Sequence, residues 1–469
     1  MRVIVLAMVA RIDAQDQEIA RLTIRVSELE ARLKTNSTNS SKPPSSDPPG
    51  MQRSKAAPSK RKRGGQPGHD GHFRLMHEHP DEVIDLCPPR CEHCGSSYES
   101  APLDPKPFRH QVTELPQAPA TVTEYRVHQS ACTSCGQVTA ATLPQAIGNS
   151  SFGPRLEATV ALLAGRYRMS HREIQEYLRD QWNVAMSLGS IPAILRRVNA
   201  ALTQPANEAW EHVRHAAVRY VDETGWRECN QKSWLWTAVG PEATAFRIAP
   251  TRGSVVLKEC FGDALGHGVF VSDRCRSYNV IDMQMRGICH AHLKRDFVKM
   301  TEFGNRLSRE IGYSCLAIHA KIFKLHHRFL KEEMTREQLQ NRMSRHERAL
   351  KHQLERGRDA KRSIGKCGQH LQGMCRDLLN HWDAFWTFIK RPNVSPTNNA
   401  AERALRKAVL WRKGSFGTQS VQGSRFVERS LTVTQTCARQ RKHVARYLQE
   451  AVAAFRLGNP APNLMSSSC

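Results

Sequence analysis

Two apolar runs that each lead into an aspartate constrain the fold of this chain more than any other feature. The run AAVRYVDETGW contains Asp222, and HGVFVSD ends on Asp273. Short runs rich in Val, Tyr, Phe and Trp are typical of strands. SWLWTAVG and TAFRIAP stand between them and predict two further strands, followed by a helix before the second aspartate. The pattern therefore predicts a sheet with acidic residues at strand ends.

A third carboxylate, Glu402, stands in the motif PTNNAAER at the start of a predicted helix. Ribonuclease-H-like folds display metal ligands in this way, and Mg²⁺ prefers carboxylate oxygens. Two such ions can clamp the attacking and leaving oxygens of a phosphodiester. Two structural alternatives compete for Glu402: a capping box with Asn399 as the N-cap, and an ordinary ion pair with Arg406. Each aspartate could likewise be only a turn residue.

The charge of the chain indicates a polyanionic partner. Its 469 residues include 69 Lys and Arg against 44 Asp and Glu, a formal net charge of +25 at pH 7. Such a field favours nucleic acid or an acidic membrane surface. No apolar run approaches the ~20 residues of a membrane helix, and no basic amphipathic helix stands out. Nucleic acid is therefore the favoured partner, although some basic proteins merely bind ribosomal RNA or acidic partners.

Four of the 14 cysteines form two C-x-x-C-G knuckles, Cys91 with Cys94 and Cys132 with Cys135. The Gly after each pair permits a tight turn, and four thiolates in a tetrahedron suit one structural Zn²⁺. A redox pair would explain one knuckle but not two, and Cys87 or His93 could replace a ligand. The other cysteines are scattered, which favours a reducing cytoplasm over a secreted disulfide framework.

Residues 1–34 carry a heptad repeat. β-Branched residues dominate one row and Leu the other, which predicts a parallel two-stranded coiled coil. The alternative is a single amphipathic helix that packs on its own domain. The rows consist of Val5, Ile12, Ile19, Val26 and Leu33, and of Met8, Leu22 and Leu29. The opening MRVIVLAMVA belongs to this repeat and lacks a cleavage site, which argues against export.

Residues 35–72 predict a flexible basic linker. NSTNSSKPPSSDPPG is too rich in Asn, Ser and Pro to bury a core. The basic residues that follow could track phosphates without reading sequence, or could only solubilise the linker. These residues are Lys60, Arg61, Lys62 and Arg63. Beyond the linker we expect a zinc-binding domain at 73–148 and a catalytic domain at 206–458. The catalytic domain contains a helical insertion at about 300–391, and a disordered tail follows at 459–469.

Residues 149–205 predict a helical DNA-binding region. Ser170 is a candidate helix cap, and a turn is predicted near Asn183. Pro192 requires the next helix to begin near Ser190. This spacing is similar to that of a helix-turn-helix, whose second helix enters a major groove. Any helical hairpin has the same pattern, so the two alternatives remain open.

Four motifs stand in the order found in one family of transposases: VDETGWR, FVSDRCRSYN, ICHAHLKRDF and PTNNAAERALRKAVLWRKGSFGTQS. With the heptad, the NSSKPPSSD linker, the GGQPGH turn and the paired knuckles, the chain resembles transposases of insertion sequence family sixty-six over nearly its whole length. The resemblance implies a DDE triad at Asp222, Asp273 and Glu402 on a ribonuclease-H-like core. Cys275 departs from it, because an aromatic residue or Gly is expected there.

The resemblance implies a bacterial DNA transposase that binds terminal inverted repeats and transfers strands with two Mg²⁺ or Mn²⁺ ions. Its implied partners are target DNA, small accessory proteins of the same element and at least one further copy, in the cytoplasm at the nucleoid. A non-catalytic DNA-binding regulator or clamp is the alternative, and a nuclease without strand transfer is a third reading. Candidate phosphate contacts are Arg403, Arg406, Arg412 and Lys413, which could also form only a solvated face.

Several other residues are candidates for a role near the triad. Trp226, Trp411 and Phe416 could stack on flipped bases, but core packing is the favoured reading. Cys289 and His290 should point apart by strand alternation, so no shared metal with His292 is expected. His290 or His292 is expected instead to contact DNA or to orient a carboxylate.

Overall fold

The computed structural model describes residues 150–360 and 365–465, several shorter stretches (76–86, 90–97, 106–116 and 119–147), residue 88 and six positions between 15 and 26. The protein is mixed α/β and divides into two compact units, Gly50–Thr121 and Met1–Pro49 together with Val122–Cys469. The predicted basic stretch Lys60–Arg63 lies outside the described residues. So does the heptad apart from the six positions, which are helical and exposed.

In the described residues from 150 onward, four helices precede the main sheet: α1 Pro154–Gly165, α2 His171–Trp182, α3 Ser190–Ala201 and α4 Thr203–His215. Ser170 caps α2 as predicted, in a reciprocal capping box with Glu173. Asn183 ends α2 in the left-handed conformation that Asn tolerates well. Pro192 falls in the first turn of α3, where a missing N–H removes no helical bond. The predicted helix boundaries in this segment are confirmed.

A two-stranded hairpin and a five-stranded sheet contain all the strands of the described residues. The hairpin pairs β1 Gln129–Ala131 with β2 Val138–Ala140. The main sheet consists of β3 Val218–Glu228, β4 Gln231–Val239, β5 Thr244–Ala249, β6 Val269–Ser272 and β7 Arg286–Ile288. Its order is β5-β4-β3-β6-β7. β4 runs antiparallel to both of its neighbours, whereas β6 and β7 run parallel to β3. The four strands predicted around Asp222 and Asp273 are confirmed.

Ten further helices follow the first strands of the sheet. They are α5 Val255–Phe261, α6 His290–Thr301, α7 Arg306–Leu330, α8 Arg336–Arg358, α9 Gly365–Asn380, α10 Trp382–Phe385, α11 Thr387–Lys390, α12 Asn399–Ser415, α13 Val421–Arg439 and α14 Val444–Arg456. Six of them, α6 to α11, occupy the chain between Asp273 and Glu402. No helix in the described part of the chain is long and apolar enough to span a membrane.

The two faces of the sheet pack on different helices, because side chains alternate along each strand. On one face, Trp226 and Leu235 pack beneath α12 and α13. On the other face, Val221 and Trp236 pack against α5. Asp222 shares the face of Trp226, since the two lie four residues apart on β3. Trp226 is only 2% exposed, so it belongs to the core and cannot stack on a base.

The outer edge of the sheet, strand β5, is closed by side chains of α13. Three backbone N–H groups donate to them: Thr244 to Thr436 Oγ1 (3.1 Å), Phe246 to Thr432 Oγ1 (3.0 Å) and Ile248 to Glu428 Oε1 (2.6 Å). Four helical residues rise about 6 Å and two strand residues about 6.6 Å. The helical and strand spacings therefore match, and the helix satisfies the donors that a neighbouring strand would otherwise take.

The segment after α14 packs against the helices, and the prediction of a disordered tail is wrong for residues 459–465. Leu464 is fully buried, and its N–H donates to Glu208 Oε2 at 2.9 Å. The Tyr447 hydroxyl donates to the Pro462 carbonyl at 2.7 Å. The buried Leu464 side chain and hydrogen bonds to helices α4 and α14 hold this segment in place. Residues 466–469 lie outside the described part.

Candidate active site

Strand register brings Asp222 and Asp273 side by side. β3 and β6 run parallel with Tyr220 opposite Val271, so two residues further along the aspartates stand opposite each other. Neighbouring strands lie about 4.8 Å apart. Asp222 is part of β3, whereas Asp273 directly follows the last residue of β6. The sheet therefore presents both carboxylates at one place, as their positions in the sequence predict.

Glu402 completes a negatively charged cluster with the two aspartates. Burial raises the pKa of Asp222 well above its ordinary value, and the charges of Glu223, Asp273 and Glu402 add to the rise. One backbone hydrogen bond, from Glu223 N to Asp222 Oδ1 at 3.0 Å, opposes it. Like charges near one another disfavour each other's ionised forms. A bound divalent cation would relieve that repulsion.

Neither structural alternative for Glu402 is present in the described residues. Asn398, not Asn399, is the N-cap of α12, and its side chain makes no capping bond to the helix. The capping-box alternative is therefore absent, because α12 begins at Asn399 rather than at Ala400. The partner of the Glu402 carboxylate is His292 Nδ1 at 3.9 Å rather than Arg406. The carboxylate is 38% exposed, so it is accessible to a ligand.

Asn398 fixes the start of α12 against the sheet. It is fully buried, and its side-chain amide donates to the Val221 carbonyl at 2.8 Å. Its backbone N–H donates to Cys289 Sγ at 3.2 Å, and His290 N donates to the Pro396 carbonyl at 2.8 Å. The helix that carries Glu402 is therefore tied both to β3 and to the segment after β7. Sequence reasoning missed this positioning role.

Arg286 holds the backbone of Asp273. This fully buried residue donates to the Asp273 carbonyl at 3.0 Å and to Asn279 Oδ1 at 2.9 Å. Burial lowers the pKa of Arg286 to about 10, so it stays protonated at neutral pH. Asp273 Oδ1 accepts a hydrogen bond from the Cys275 backbone N–H at 2.8 Å. That bond needs no particular side chain, so the departure at Cys275 leaves it intact.

A fourth carboxylate, Glu223, lies on the opposite face of β3 and is already paired. Its side chain is 1% exposed and accepts from Arg252 Nε at 2.6 Å and from the Tyr278 hydroxyl. Burial, followed by the charge of Asp273, raises its pKa. Because both carboxylate oxygens have donors, Glu223 braces the sheet behind Asp222 rather than offering an open ligand.

Cys289, His292 and Glu402 form one group whose ligand atoms all lie within 4.8 Å of one another. Cys289 and His290 lie beyond the end of β7, so the argument from strand alternation does not apply to them and did not predict this cluster. His290 is fully buried, its Nε2 lies 2.8 Å from the Phe385 carbonyl, and burial lowers its pKa to about 3. Burial excludes His290 from contact with DNA, so of the two histidines expected to contact DNA or orient a carboxylate only His292 remains a candidate. His292 is half-buried beside Glu402, and burial lowers its pKa.

The predicted phosphate contacts on α12 divide into two groups. Arg403, Arg406 and Lys413 are exposed. Arg412 is half-buried, and it donates to the Gly225 carbonyl and, at 3.2 Å, to Thr224 Oγ1. The first three side chains are accessible to a polyanion, whereas Arg412 joins α12 to β3.

A cluster of like charges, which the sequence did not reveal, lies where α12 meets the end of α1. Burial and then the charges of Arg166 and Arg168 lower the pKa of Lys407. None of these three forms an ion pair with a carboxylate of the described residues. Arg166 and Arg168 follow α1, so the cluster joins residues that are distant in the sequence. Three uncompensated cations together favour a bound anion.

The aromatic candidates differ in exposure. Trp411 is half-buried and packs edge-on against Phe426, with ring centroids 6.3 Å apart. Phe416 is 75% exposed and adopts a left-handed conformation, with φ of 57°, at the end of α12. Of the three aromatic candidates for base stacking, Phe416 therefore has the most accessible ring.

The two cysteine knuckles have the same local geometry. Gly95 N donates to the Cys91 carbonyl at 2.9 Å, and Gly136 N donates to the Cys132 carbonyl at 2.9 Å. Both glycines have positive φ, 76° and 69°, a conformation that costs other residues free energy. Each C-x-x-C-G motif thus forms the tight turn that its sequence predicts. The bound Zn²⁺ remains a prediction.

Comparison with known proteins gives two family matches and one relative. Residues 149–425 match the family described as "Transposase IS66 family". Residues 5–75 match a "Family of unknown function (DUF6444)". The uncharacterized protein y4hP of Sinorhizobium fredii (strain NBRC 101917 / NGR234) is 42% identical over 60 residues, 13% of this chain and 11% of that protein. The match thus spans a small part of that relative. The first family match includes all three clustered carboxylates.

Proposed function

The chain belongs to the IS66 family of transposases, and we propose that it cuts and joins DNA with divalent metal ions held by Asp222, Asp273 and Glu402. The observation that carries this proposal is the cluster of three carboxylates, none of which has a Lys or Arg partner in the described residues. Nearby acidic residues have such partners: Glu223 binds Arg252, and Asp296 binds Arg274. Among the described residues, none of the three carboxylates forms an ion pair with Lys or Arg.

The sheet supports a ribonuclease-H-like core. In the order β5-β4-β3-β6-β7, only β4 runs against the others. The first strand of this sheet carries Asp222, its fourth strand ends before Asp273, and a helix packed on the same face carries Glu402. This arrangement is similar to the way that ribonuclease-H-like folds display their metal ligands. The resemblance of the sequence motifs and the strand order thus support the same proposal.

The donor set fits a hard cation. Three carboxylates offer oxygen ligands only, which Mg²⁺ and Mn²⁺ prefer. Bound there, such ions would lower the pKa of an attacking water and stabilise the leaving oxygen of a phosphodiester. We propose two ions for the catalytic centre. We also propose one structural Zn²⁺ on Cys91, Cys94, Cys132 and Cys135.

The residues around the cluster hold its geometry. Arg286 fixes the carbonyl of Asp273, and Asn398 fixes the helix that carries Glu402. Catalysis by positioned groups is sensitive to displacements of about 1 Å, so both are positioning residues. The exposed cations of α12 and the cluster of Arg166, Arg168 and Lys407 would bind phosphates, which positions DNA without reading its sequence. The proposed substrates are the terminal inverted repeats of the element and target DNA.

The assembly is proposed from the sequence motifs. Two element ends must be brought together, so we propose at least a dimer, joined through the heptad of residues 1–34. Small accessory proteins of the same element are further proposed partners. The absence of a membrane-spanning helix in the described residues and the scattered cysteines agree with a cytoplasmic protein that is bound to the nucleoid.

The test is cleavage and joining of labelled element-end DNA with Mg²⁺. Wild type and the control Asp263→Asn, which changes an exposed aspartate outside the cluster, should give nicked and strand-transfer products. Asp273→Asn should bind the ends equally well and give none. If Asp273→Asn cuts as well as wild type, Asp273 is not a ligand. Nicking without strand transfer would indicate a nuclease. Binding of ends without cutting, even with the accessory proteins present, would indicate a non-catalytic clamp.

A further inference from the structure

We propose that Cys289, His292 and Glu402 form a binding site for a borderline divalent cation such as Zn²⁺, beside the three-carboxylate cluster. The sulfur, nitrogen and oxygen atoms of these residues all lie within 4.8 Å of one another. Glu402 belongs both to this site and to the three-carboxylate cluster, so an ion bound here would compete with the catalytic ions for Glu402. The competition rests on the proposed function of Glu402, whereas the binding of the ion does not.

The local sequence brings Cys289 and His292 together through helix geometry. Strand β7 ends at Ile288, Cys289 is the N-cap of α6, and His292 is the third residue of that helix. Side chains at the N-cap and at the third helical position meet at the same end of a helix, as in a capping box. The C-x-x-H spacing thus directs a thiol and an imidazole to one point. Strand alternation does not apply beyond Ile288.

The protein orients two of the three ligands before any ion binds. Cys289 is fully buried, and its Sγ accepts the Asn398 backbone N–H at 3.2 Å. Burial raises the pKa of this thiol, and the backbone N–H donors at the helix N-terminus oppose the rise. His292 Nδ1 is buried without a hydrogen-bond partner in the described part of the chain. It faces Glu402 Oε1 at 3.9 Å. Buried nitrogens are rarely left unpaired, and a ligated cation would satisfy this one.

The third ligand leaves the site open. The Glu402 side chain is 38% exposed, so an ion can enter from solvent and keep a water as its fourth ligand. Three protein ligands with one open position are typical of non-structural zinc sites. On binding, the Cys289 thiol releases its proton to solvent and the sulfur ligates as thiolate, while His292 ligates through Nδ1.

The donor atoms separate this site from the carboxylate cluster. Thiolate and imidazole select Zn²⁺ or Co²⁺ over Mg²⁺, which takes oxygen ligands. Asp222 and Asp273 offer only oxygen. An ion at the new site would draw the Glu402 carboxylate toward His292 and away from the aspartates. We therefore expect Zn²⁺ to inhibit DNA cleavage that Mg²⁺ supports.

The binding test uses metal-free full-length protein titrated with Co²⁺ in the absence of Mg²⁺ and DNA. Bound ions per chain and the thiolate-to-cobalt absorption are measured for wild type, Cys289→Ser and His292→Ala. The control is Cys229→Ser, which removes an exposed thiol at the turn after β3. Wild type and the control should bind one more Co²⁺ than the other two, whose affinity at this site should fall by about tenfold or more.

The outcomes distinguish this site from the cysteine knuckles, because the knuckles are intact in every variant. Equal binding by all four proteins would overturn the proposal. His292 is half-buried and outside the core, so we expect His292→Ala to fold. If Cys289→Ser unfolds, His292→Ala alone provides the test. A thermal melt of each variant shows which case applies.

A separate experiment tests the competition between Zn²⁺ and Mg²⁺ for Glu402. Zn²⁺ is added to Mg²⁺-dependent end cleavage, and each protein is compared with its own rate without zinc. Wild type and Cys229→Ser should be inhibited, and His292→Ala should be about tenfold less sensitive. Zinc that binds without inhibiting wild type would refute the competition. A wild type that never cleaves with Mg²⁺ would instead refute the proposed function and leave the cobalt result standing.

Discussion

The side-chain amide of Asn398 donates a 2.8 Å hydrogen bond to the carbonyl oxygen of Val221. Val221 precedes Asp222 on β3, and Asn398 precedes the first residue of α12, which carries Glu402. One bond thus links the strand of one proposed metal ligand to the helix of another. Asn398 is fully buried, so no water competes for this bond.

Asn398→Ala should impair DNA cleavage more than it impairs folding. Loss of a buried hydrogen bond with its partner left unpaired costs about 1–3 kcal/mol of unfolding free energy. A helix displaced by about 1 Å can lower a catalysed rate by roughly 100-fold. Denaturant unfolding and end cleavage, measured below the melting temperature, separate the two effects. Asn207→Ala, at an exposed position of α4, should change neither. Full cleavage by folded Asn398→Ala would show that the bond does not position Glu402.

Metal-free wild type should lose stability as the pH rises, through the carboxyl group of Asp222. Its pKa is raised in the folded protein, so the folded state holds a proton that the unfolded chain has released above about pH 3.9. Stability from this group therefore falls as the pH rises from that value through the raised folded pKa. At pH 8, Asp222→Asn should melt higher than wild type.

The expected gain of Asp222→Asn is about 1 kcal/mol, or roughly 2–4 °C in a domain of 150–250 residues, and it should shrink toward pH 4. Mg²⁺ should raise the melting temperature of wild type and leave that of Asp222→Asn nearly unchanged. Asp263→Asn, an exposed control, should follow wild type in both respects. If the melting temperatures of wild type and Asp222→Asn differed by the same amount at every pH, the proposed crowding of negative charge around Asp222 would be contradicted.

Thr432→Val should destabilise the protein more than Thr434→Val on the same helix. Both threonines are buried, but Thr432 Oγ1 accepts the Phe246 N–H of β5, whereas Thr434 Oγ1 donates to Ser430 of its own helix. The first substitution leaves a buried N–H without an acceptor, at a cost of about 1–3 kcal/mol. An open edge strand also invites pairing with another chain. Unfolding and light scattering measure both effects, and equal stabilities would contradict the role of α13.

Lys407→Gln should weaken DNA binding without changing sequence preference. Lys407 lies with Arg166 and Arg168 in a cluster of like charges. Removing one phosphate contact should reduce the slope of log affinity against log salt by about one. Arg446→Gln is the matched control, because Arg446 is exposed and paired with Glu450 at 2.8 Å. Binding titrations at several salt concentrations test this. An unchanged slope for Lys407→Gln would place the DNA elsewhere.

Patterns within a few residues predicted much of this structure. The strands around Asp222 and Asp273 followed from apolar runs, and Ser170 and Asn183 marked helix ends by their own chemistry. Such features depend on local backbone preferences, which a single sequence contains.

Features that depend on contacts between distant segments could not be predicted. The capping-box alternative for Glu402 is absent because α12 begins at Asn399, which leaves Asn398 as the N-cap with its side chain bonded to β3. Cys289 joins His292 because β7 ends one residue earlier than alternation assumed. Leu464 is buried by helices far from it in the sequence, so tail composition was a poor guide. The proximity of Arg166 to Lys407 likewise arises only in the folded protein, because the two residues are distant in the sequence.

The order of the carboxylates along the chain limits what an incomplete polypeptide can do. Asp222 and Asp273 precede helices α6 to α11, and Glu402 follows all of them. A ribosome that stops before Asn398 releases a product with the helices α1 to α4 and two of the three proposed ligands. If the proposed role of the three carboxylates holds, such a fragment could not cleave DNA. If it retained an affinity for element ends, it would occupy them and restrain the intact protein, so premature termination would lower the mobility of the element.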